Sequence, residues 1–189
     1  MRIVPVIVFL LLCAALTPAR AAPGDPPEQE AKALAQAFVG RLKPRLKQAL
    51  AEGGPGRAIE VCASAAPEIA DSLSAESGWT VKRVSLKARN VSRAQPDNWE
   101  RAVLQQFDRR QAAGEKPADI NHGEVYRGAY RYMQAQGVEP ICLVCHGQKV
   151  ADAVQEALEV WYPDDRATGY SLGQVRGAIS VAKPLESNK

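Results

Sequence analysis

Apolar residues along this chain change their period several times, and each change marks an element. Leu34, Phe38, Leu42 and Leu46 recur every fourth residue within 28–52, the spacing of one helical stripe. Pro44 falls inside that stripe and predicts a kink or a division. Gly53-Gly54-Pro55-Gly56 then breaks the chain. A second stripe follows, with Ile59, Cys62, Ala66, Ile69 and Leu73 at three-four-three-four spacing, which turns Cys62 toward the interior. From Trp79 to Arg89 the period falls to two. Val84, Leu86 and Ala88 alternate with Arg83, Ser85, Lys87 and Arg89, which predicts a strand. Asp97 and Glu100 form a capping-box pair that opens a helix with Trp99, Val103 and Phe107 on its apolar side. Val125 to Met133 reads as one strand, with Tyr126, Gly128, Tyr130 and Tyr132 on one face and Arg127, Arg131 and Met133 on the other. Val150, Val154, Leu158 and Trp161 predict a helix, and Pro163 and Gly169 mark a loop. Val175, Gly177, Ile179 and Val181 alternate in a last strand that Pro184 stops. The order helix, helix, strand, helix, strands, helix, strand predicts an α+β domain. Its antiparallel sheet is flanked by helices, with a helical segment at the N-terminus.

The first residues read as a targeting segment. Met1-Arg2 is basic, Ile3 to Leu16 is apolar apart from Pro5 and Cys13, and Ala19-Arg20-Ala21 has the small-x-small form of a cleavage site. The expectation is a signal peptide over 1–21 and a mature chain from near Ala22. The apolar run is shorter than the ~20 residues a membrane span needs. Cys13 follows Leu12 rather than a small residue, which disfavours a lipoprotein. No later segment has the length and apolarity of a span, so a periplasmic product with no membrane span after cleavage is expected. Residues 22–29 are Pro-rich and read as a flexible leader, and 30–185 as a single domain. Loss of Arg2 and Arg20 lowers the formal charge from +3 to +1, and nothing in that balance points to nucleic acid.

Chemistry concentrates in Cys142-Leu143-Val144-Cys145-His146. C-x-x-C-H is the attachment pattern of a c-type haem. Two thiols three positions apart each add to a vinyl group as thioethers, and the adjacent histidine binds the iron from one face. Two rival readings use the same residues. One is a dithiol or disulfide of Cys142 and Cys145, which leaves His146 without a role. The other is a Cys3His zinc site that adds Cys62, although adjacent Cys145 and His146 suit one small tetrahedral ion badly.

The opposite iron face has three candidates, Cys62, His122 and Met133, all upstream of the motif. Small electron-transfer cytochromes place a ligating methionine downstream, whereas no Met, His or Cys follows His146 here. His122 lies in a polar turn-like stretch and reads as an exposed loop residue. Met133 points away from the tyrosine face that would suit a haem wall. Cys62 is either a small buried apolar side chain or a ligand, and spacing leaves both open. Arg83, Arg89 and Arg176 are candidates for pairing with haem propionates. Tyr170 and Trp99 either line the pocket or pack a core.

Several motifs occur in one order: Ala58-Ile59-Glu60-Val61-Cys62, Ala66-Pro67-Glu68-Ile69-Ala70, Arg83-Val84-Ser85, Lys87-Ala88-Arg89-Asn90, Pro96-Asp97-Asn98-Trp99-Glu100, the haem motif through Gly147, Gly169-Tyr170 and Arg176-Gly177-Ala178-Ile179-Ser180-Val181. Across residues 30 to 185 the chain resembles the small extracytoplasmic c-type haem domain. That domain is PAS-like and stands alone or serves as the input domain of membrane sensors. The resemblance implies one covalent haem c held by Cys142 and Cys145, with His146 and Cys62 as axial ligands; Arg89 and Arg176 are the candidate propionate contacts beside it, on their charge alone. Val91 departs from the pattern, which has Pro after Arg89-Asn90. The implied function is redox sensing, sensing of a diatomic ligand such as CO or NO, or low-potential electron transfer, through a redox partner or sensor protein. The alternatives are a haem enzyme of peroxidase or nitrogen-oxide reductase type, which needs His122 as a distal acid–base, and the zinc protein.

Overall fold

The computed structural model describes residues 26–185. The expected signal peptide and cleavage site lie outside the described residues. Helix α1 (Pro26–Ser77) is interrupted at Gly53 and Gly54, where Gly54 takes φ 68°. Only glycine adopts that conformation without a Cβ clash, so the Gly-Gly pair ends one arm and starts the next. Pro44 and Pro67, by contrast, sit within continuous helix, so Pro44 does not divide the first arm. Helix begins at Pro26, which corrects the flexible leader over 26–29. Pro27 costs nothing in a first turn whose N–H groups have no helical partner, and Glu28 faces the positive end of the helix dipole.

The two arms fold back on each other. Arg41 donates to both carboxylate oxygens of Glu76 at 3.0 and 2.7 Å, and Arg45 lies 3.5 Å from Glu68. Between the arms and the sheet, Ala31, Ala35 and Phe38 meet Ala66, Ile69, Ala70 and Leu73. The two stripes read from the sequence are therefore one interface. Alanines at the crossing allow the arms to approach closely.

The sheet contains β1 (Thr80–Val84), β2 (Asn121–Tyr126), β3 (Ala129–Gly137) and β4 (Val175–Pro184), in the order β1-β4-β3-β2 with antiparallel pairing throughout. Val81, Tyr130, Tyr132, Ile179 and Val181 face α1. The other face packs on α3 (Asn98–Ala112) through Val84, Trp99, Val103, Phe107, Met133 and Ala178. The capping box opens α3 as expected: Asp97 accepts from the Glu100 amide, and Glu100 accepts from the Asp97 amide.

Three strand expectations change. β1 ends at Val84 rather than Arg89, because the Ser85 hydroxyl accepts from the Lys87 amide and turns the chain. The short helix α2 (Val91–Ala94) follows, capped by Asn90. Val91 occupies its first position, a place that accepts proline equally well. Val125 to Met133 is not one strand but the β2–β3 hairpin. Arg127 and Gly128 take φ 51° and 77°, the two positive values of a two-residue type I′ turn. The predicted tyrosine face is split accordingly. Tyr130 and Tyr132 pack against α1, while Tyr126 packs against Trp99 on the α3 side.

β4 carries one extra residue. Ala135 pairs with Ala178 but Gly137 with Val175, so three β4 steps oppose two of β3. This bulge reverses the alternation. Ile179 and Val181 face α1, and beyond the bulge Val175 lies in the α3 core while Arg176 reaches the opposite side. Gly177, at φ 151°, permits the crossing. A Cβ there would lie 2.5 Å from the Val84 carbonyl oxygen.

Candidate functional site

Where the α1 arms leave the sheet uncovered, a cavity of about 1270 Å³ opens. That volume includes space open to solvent at the mouth. Leu42, Leu46 and Leu50 of the first arm form an apolar wall. The expected leucine stripe thus serves two purposes: Phe38 fills the core, and the residues after it line the cavity. Cys62 lines the cavity from the second arm, Arg83 from β1 and Arg176 from β4.

The haem motif closes the remaining side. Cys142 ends a tight turn over Pro140–Cys142, and Leu143–His146 is the four-residue helix α4. This wind brings Cys142, Cys145 and His146 to the same cavity. Two small clusters seat the motif. Cys145 packs near Ile59, Val154 and Leu158, where α5 (Asp152–Trp161) meets α1. Cys142 and Leu143 pack on Val138, Ala167 and Tyr170. Val154 and Leu158 are buried as the periodicity predicts, whereas Trp161 stays partly exposed.

His146 has a fixed orientation. Its Nδ1 lies 2.7 Å from the Ala167 carbonyl oxygen. A carbonyl only accepts, so Nδ1 carries the proton and Nε2 keeps its lone pair. Tyr170 stacks edge-on to the ring at 6.4 Å. Burial pushes the imidazole pKa well below its ordinary value, and the Arg176 and Arg89 guanidinium charges push it the same way. The ring is held neutral, as a metal-binding imidazole must be.

In the loop after α5 the sequence singles out only Tyr170 as a possible pocket residue, yet that loop also supplies the parts that hold the motif. Arg89 Nε lies 3.1 Å from Asp165 Oδ1. One terminal nitrogen of Arg89 donates to the Cys145 carbonyl at 2.5 Å and approaches Asp165 Oδ2 at 3.3 Å. Arg89, expected beside Arg176 as a propionate contact, is therefore already engaged within the protein. Sequence offered no signal for Asp165, because Arg89, its ion-pair partner, lies 76 residues away.

Arg83 and Arg176 differ from Arg89. Arg176 Nε is buried with no hydrogen-bond partner. Burial lowers the Arg83 pKa to about 10, and the Arg176 charge adds to that effect. Two cations beside one cavity without a counter-charge are costly, and their surroundings suit an anionic group. Burial pushes the Cys62 thiol up, while Arg83 and then Arg176 pull it down. A haem fits these residues: apolar walls for the ring, two unneutralised guanidiniums for its carboxylates, a thiol pair for its edge, and a neutral imidazole with Cys62 for its metal.

The other ligand candidates are elsewhere. His122 is in edge strand β2 rather than a loop, paired with Met133 and stacked 6.0 Å from Trp99 on the α3 side. Met133 is fully buried in that same core. The haem-enzyme alternative loses its distal acid–base group with His122. The geometry gives the zinc alternative no support. Among the described residues no three His, Cys, Asp or Glu side chains converge to hold a metal ion by themselves. Cys62, Cys142 and Cys145 are not joined to one another in this fold.

An α+β domain with a long N-terminal helix, a four-stranded antiparallel sheet and one deep cavity at a C-x-x-C-H helix is a restricted class. The chain belongs to the Tll0287-like family, whose model matches residues 19–184. Its structure is similar to the crystal structure of the cyanobacterial heme-protein Tll0287, at 26% identity and a TM-score of 0.59, over 88% of this chain and 100% of that one. No curated protein matches the chain.

Proposed function

We propose that this protein is a periplasmic mono-haem c-type cytochrome with His146 and Cys62 as axial ligands. The observation that carries the reading is the gathering of Cys142, Cys145, His146 and Cys62 around one cavity. Its supports are the tautomer of His146 and the unneutralised Arg83 and Arg176. The similar cyanobacterial structure is described as a heme protein, which agrees with this reading.

Cys142 and Cys145 would form the thioethers, and Arg83 and Arg176 would hold the propionates. Bound haem supplies a redox-active iron. Thiolate ligation donates charge to that metal and favours its ferric form, so the potential is low beside a His/Met site. A site of this kind suits low-potential electron transfer, or sensing of redox state or of CO or NO when Cys62 leaves the metal. Both need a protein partner. The signal peptide over 1–21 and export precede haem attachment in this scheme.

The test is expression of the full chain with the haem c maturation machinery. Intact mass should show one covalent haem, absent in Cys142→Ala/Cys145→Ala. The ferric spectrum should be six-coordinate with thiolate character, and Cys62→Ala should lose that character. An unchanged spectrum in Cys62→Ala would reject the ligand assignment. Absence of covalent haem from the wild type would reject the cytochrome.

A further inference from the structure

We propose that Asp165, clamped by Arg89, is the positioning residue that sets the orientation and hydrogen-bond strength of His146. The inference rests on the reading of His146 as an axial ligand and extends it to a loop which that reading does not use.

The chain of contacts is continuous. Asp165 Oδ1 accepts from the Ala167 amide at 2.9 Å, and the Ala167 carbonyl accepts from His146 Nδ1 at 2.7 Å. The carboxylate therefore fixes the same residue whose carbonyl orients the imidazole. Arg89 holds Asp165 through two nitrogens and ties the assembly to the motif by donating to the Cys145 carbonyl. The pair is well shielded, with the Arg89 and Asp165 side chains 15% and 8% exposed. Three backbone bonds fasten the loop on either side: Arg166 donates to the Ala88 carbonyl at 3.0 Å, Gly169 to Gly147 at 2.9 Å and Tyr170 to His146 at 3.0 Å.

A histidine ligand is tuned by the group its second nitrogen bonds, because a firm acceptor makes the imidazole a better donor to metal. Carbonyls are usually held by the regular ladder of a helix or strand. Ala167 lies in a loop, outside any element, so its direction depends on Asp165. The geometry also explains a shielded acid placed behind two residues of the cavity wall, Arg89 and Ala167.

Two measurements on the full chain test the proposal, and only one needs haem. In unloaded protein, nitrogen NMR of the histidine rings should show His146 as the Nδ1–H tautomer. Asp165→Ala should yield a mixture, with His122 unchanged as internal control. In haem-loaded protein, Asp165→Ala should weaken ferric-state ligation by His146 about tenfold relative to ferrous, within the usual range for loss of an outer-shell partner. That factor is an upward shift of about 59 mV in the midpoint potential, with covalent haem content unchanged. Asp165→Asn keeps an acceptor for the Ala167 amide but loses the charge pair. It should give a smaller shift of the same sign, and it decides the matter if the alanine variant fails to fold. An unaltered tautomer together with an unaltered potential in the folded variants overturns the proposal. If no haem attaches to the wild type, the cytochrome reading fails, and the NMR result alone judges the positioning role.

Discussion

The two faces of the sheet treat buried charge in opposite ways. On the α3 side, the Glu100 carboxylate is fully buried and completely answered from within the chain. Ser180 donates at 2.7 Å, Lys82 at 2.9 Å and the Asp97 amide at 2.9 Å, while Arg131 lies 3.3 Å away. That face is a closed core. On the α1 side, beyond the helical hairpin, Arg83 and Arg176 border a cavity, and Arg176 Nε has no partner. A protein satisfies buried ions when the site is structural. It leaves them unanswered where the missing charge arrives with something else. The contrast marks the α1 face as the candidate functional side, and the C-x-x-C-H motif sits on that same side.

Removal of Glu100 should break the comparison most strongly. Glu100→Ala takes the acceptor from the Ser180 hydroxyl and from Lys82 and opens the start of α3, while Arg131 keeps its pair with Asp97. A loss of about 3–5 kcal/mol is expected, as for one partner of a buried pair, read as a lower urea midpoint at unchanged slope.

Arg176 should behave the other way. In unloaded chain, Arg176→Met removes an unpaired polar group and should leave stability unchanged or raise it, by about 1–3 kcal/mol at most, the cost of such burial. The same variant should take up or retain haem less well. A destabilisation as large as that of Glu100→Ala would erase the distinction between the two faces.

The smallest effect belongs to the exposed clamp of the α1 hairpin. Arg41 and then Ser72 hold the Glu76 carboxyl at about 2, down from 4.5. A depressed carboxyl pKa stabilises the fold above the unfolded value and loses that contribution as pH falls. The clamp should therefore act fully above pH 4.5 and fade toward pH 2. Glu76→Gln should flatten the acid side of the stability profile in that window. Because both side chains are solvated, the change should be slight and weaker in high salt.

Much of the architecture was legible because its causes are local. Helical stripes, the Gly-Gly break, the Asp97–Glu100 box and the stop at Pro184 each depend on neighbours within a few residues. The failures share a cause too. Alternation carried Val125 to Met133 as one strand because Gly128 fits a strand pattern. The turn at Arg127-Gly128 is recognisable only once the hairpin partners are known. Likewise the alternation runs on through Leu86 and Ala88, yet the Ser85 hydroxyl accepts from the Lys87 amide, donates to the Arg176 carbonyl and turns the chain, although β4 extends opposite it to Val175.

For the site, the C-x-x-C-H spacing marked Cys142, Cys145 and His146 as candidates, and the fold brings all three to one cavity. The stripe likewise turned Cys62 inward. Chain order could not reveal what Cys62 faces, since the cavity wall is drawn from elements spread from α1 to β4. Nor could it show that a bulge swings Arg176 into that wall, that Arg89 is captured by Asp165, or that Ala167 orients His146. Those outcomes depend on register and on contacts across 20 to 90 residues. Short-range periodicity carries no information about either, so they belong to the tertiary structure alone.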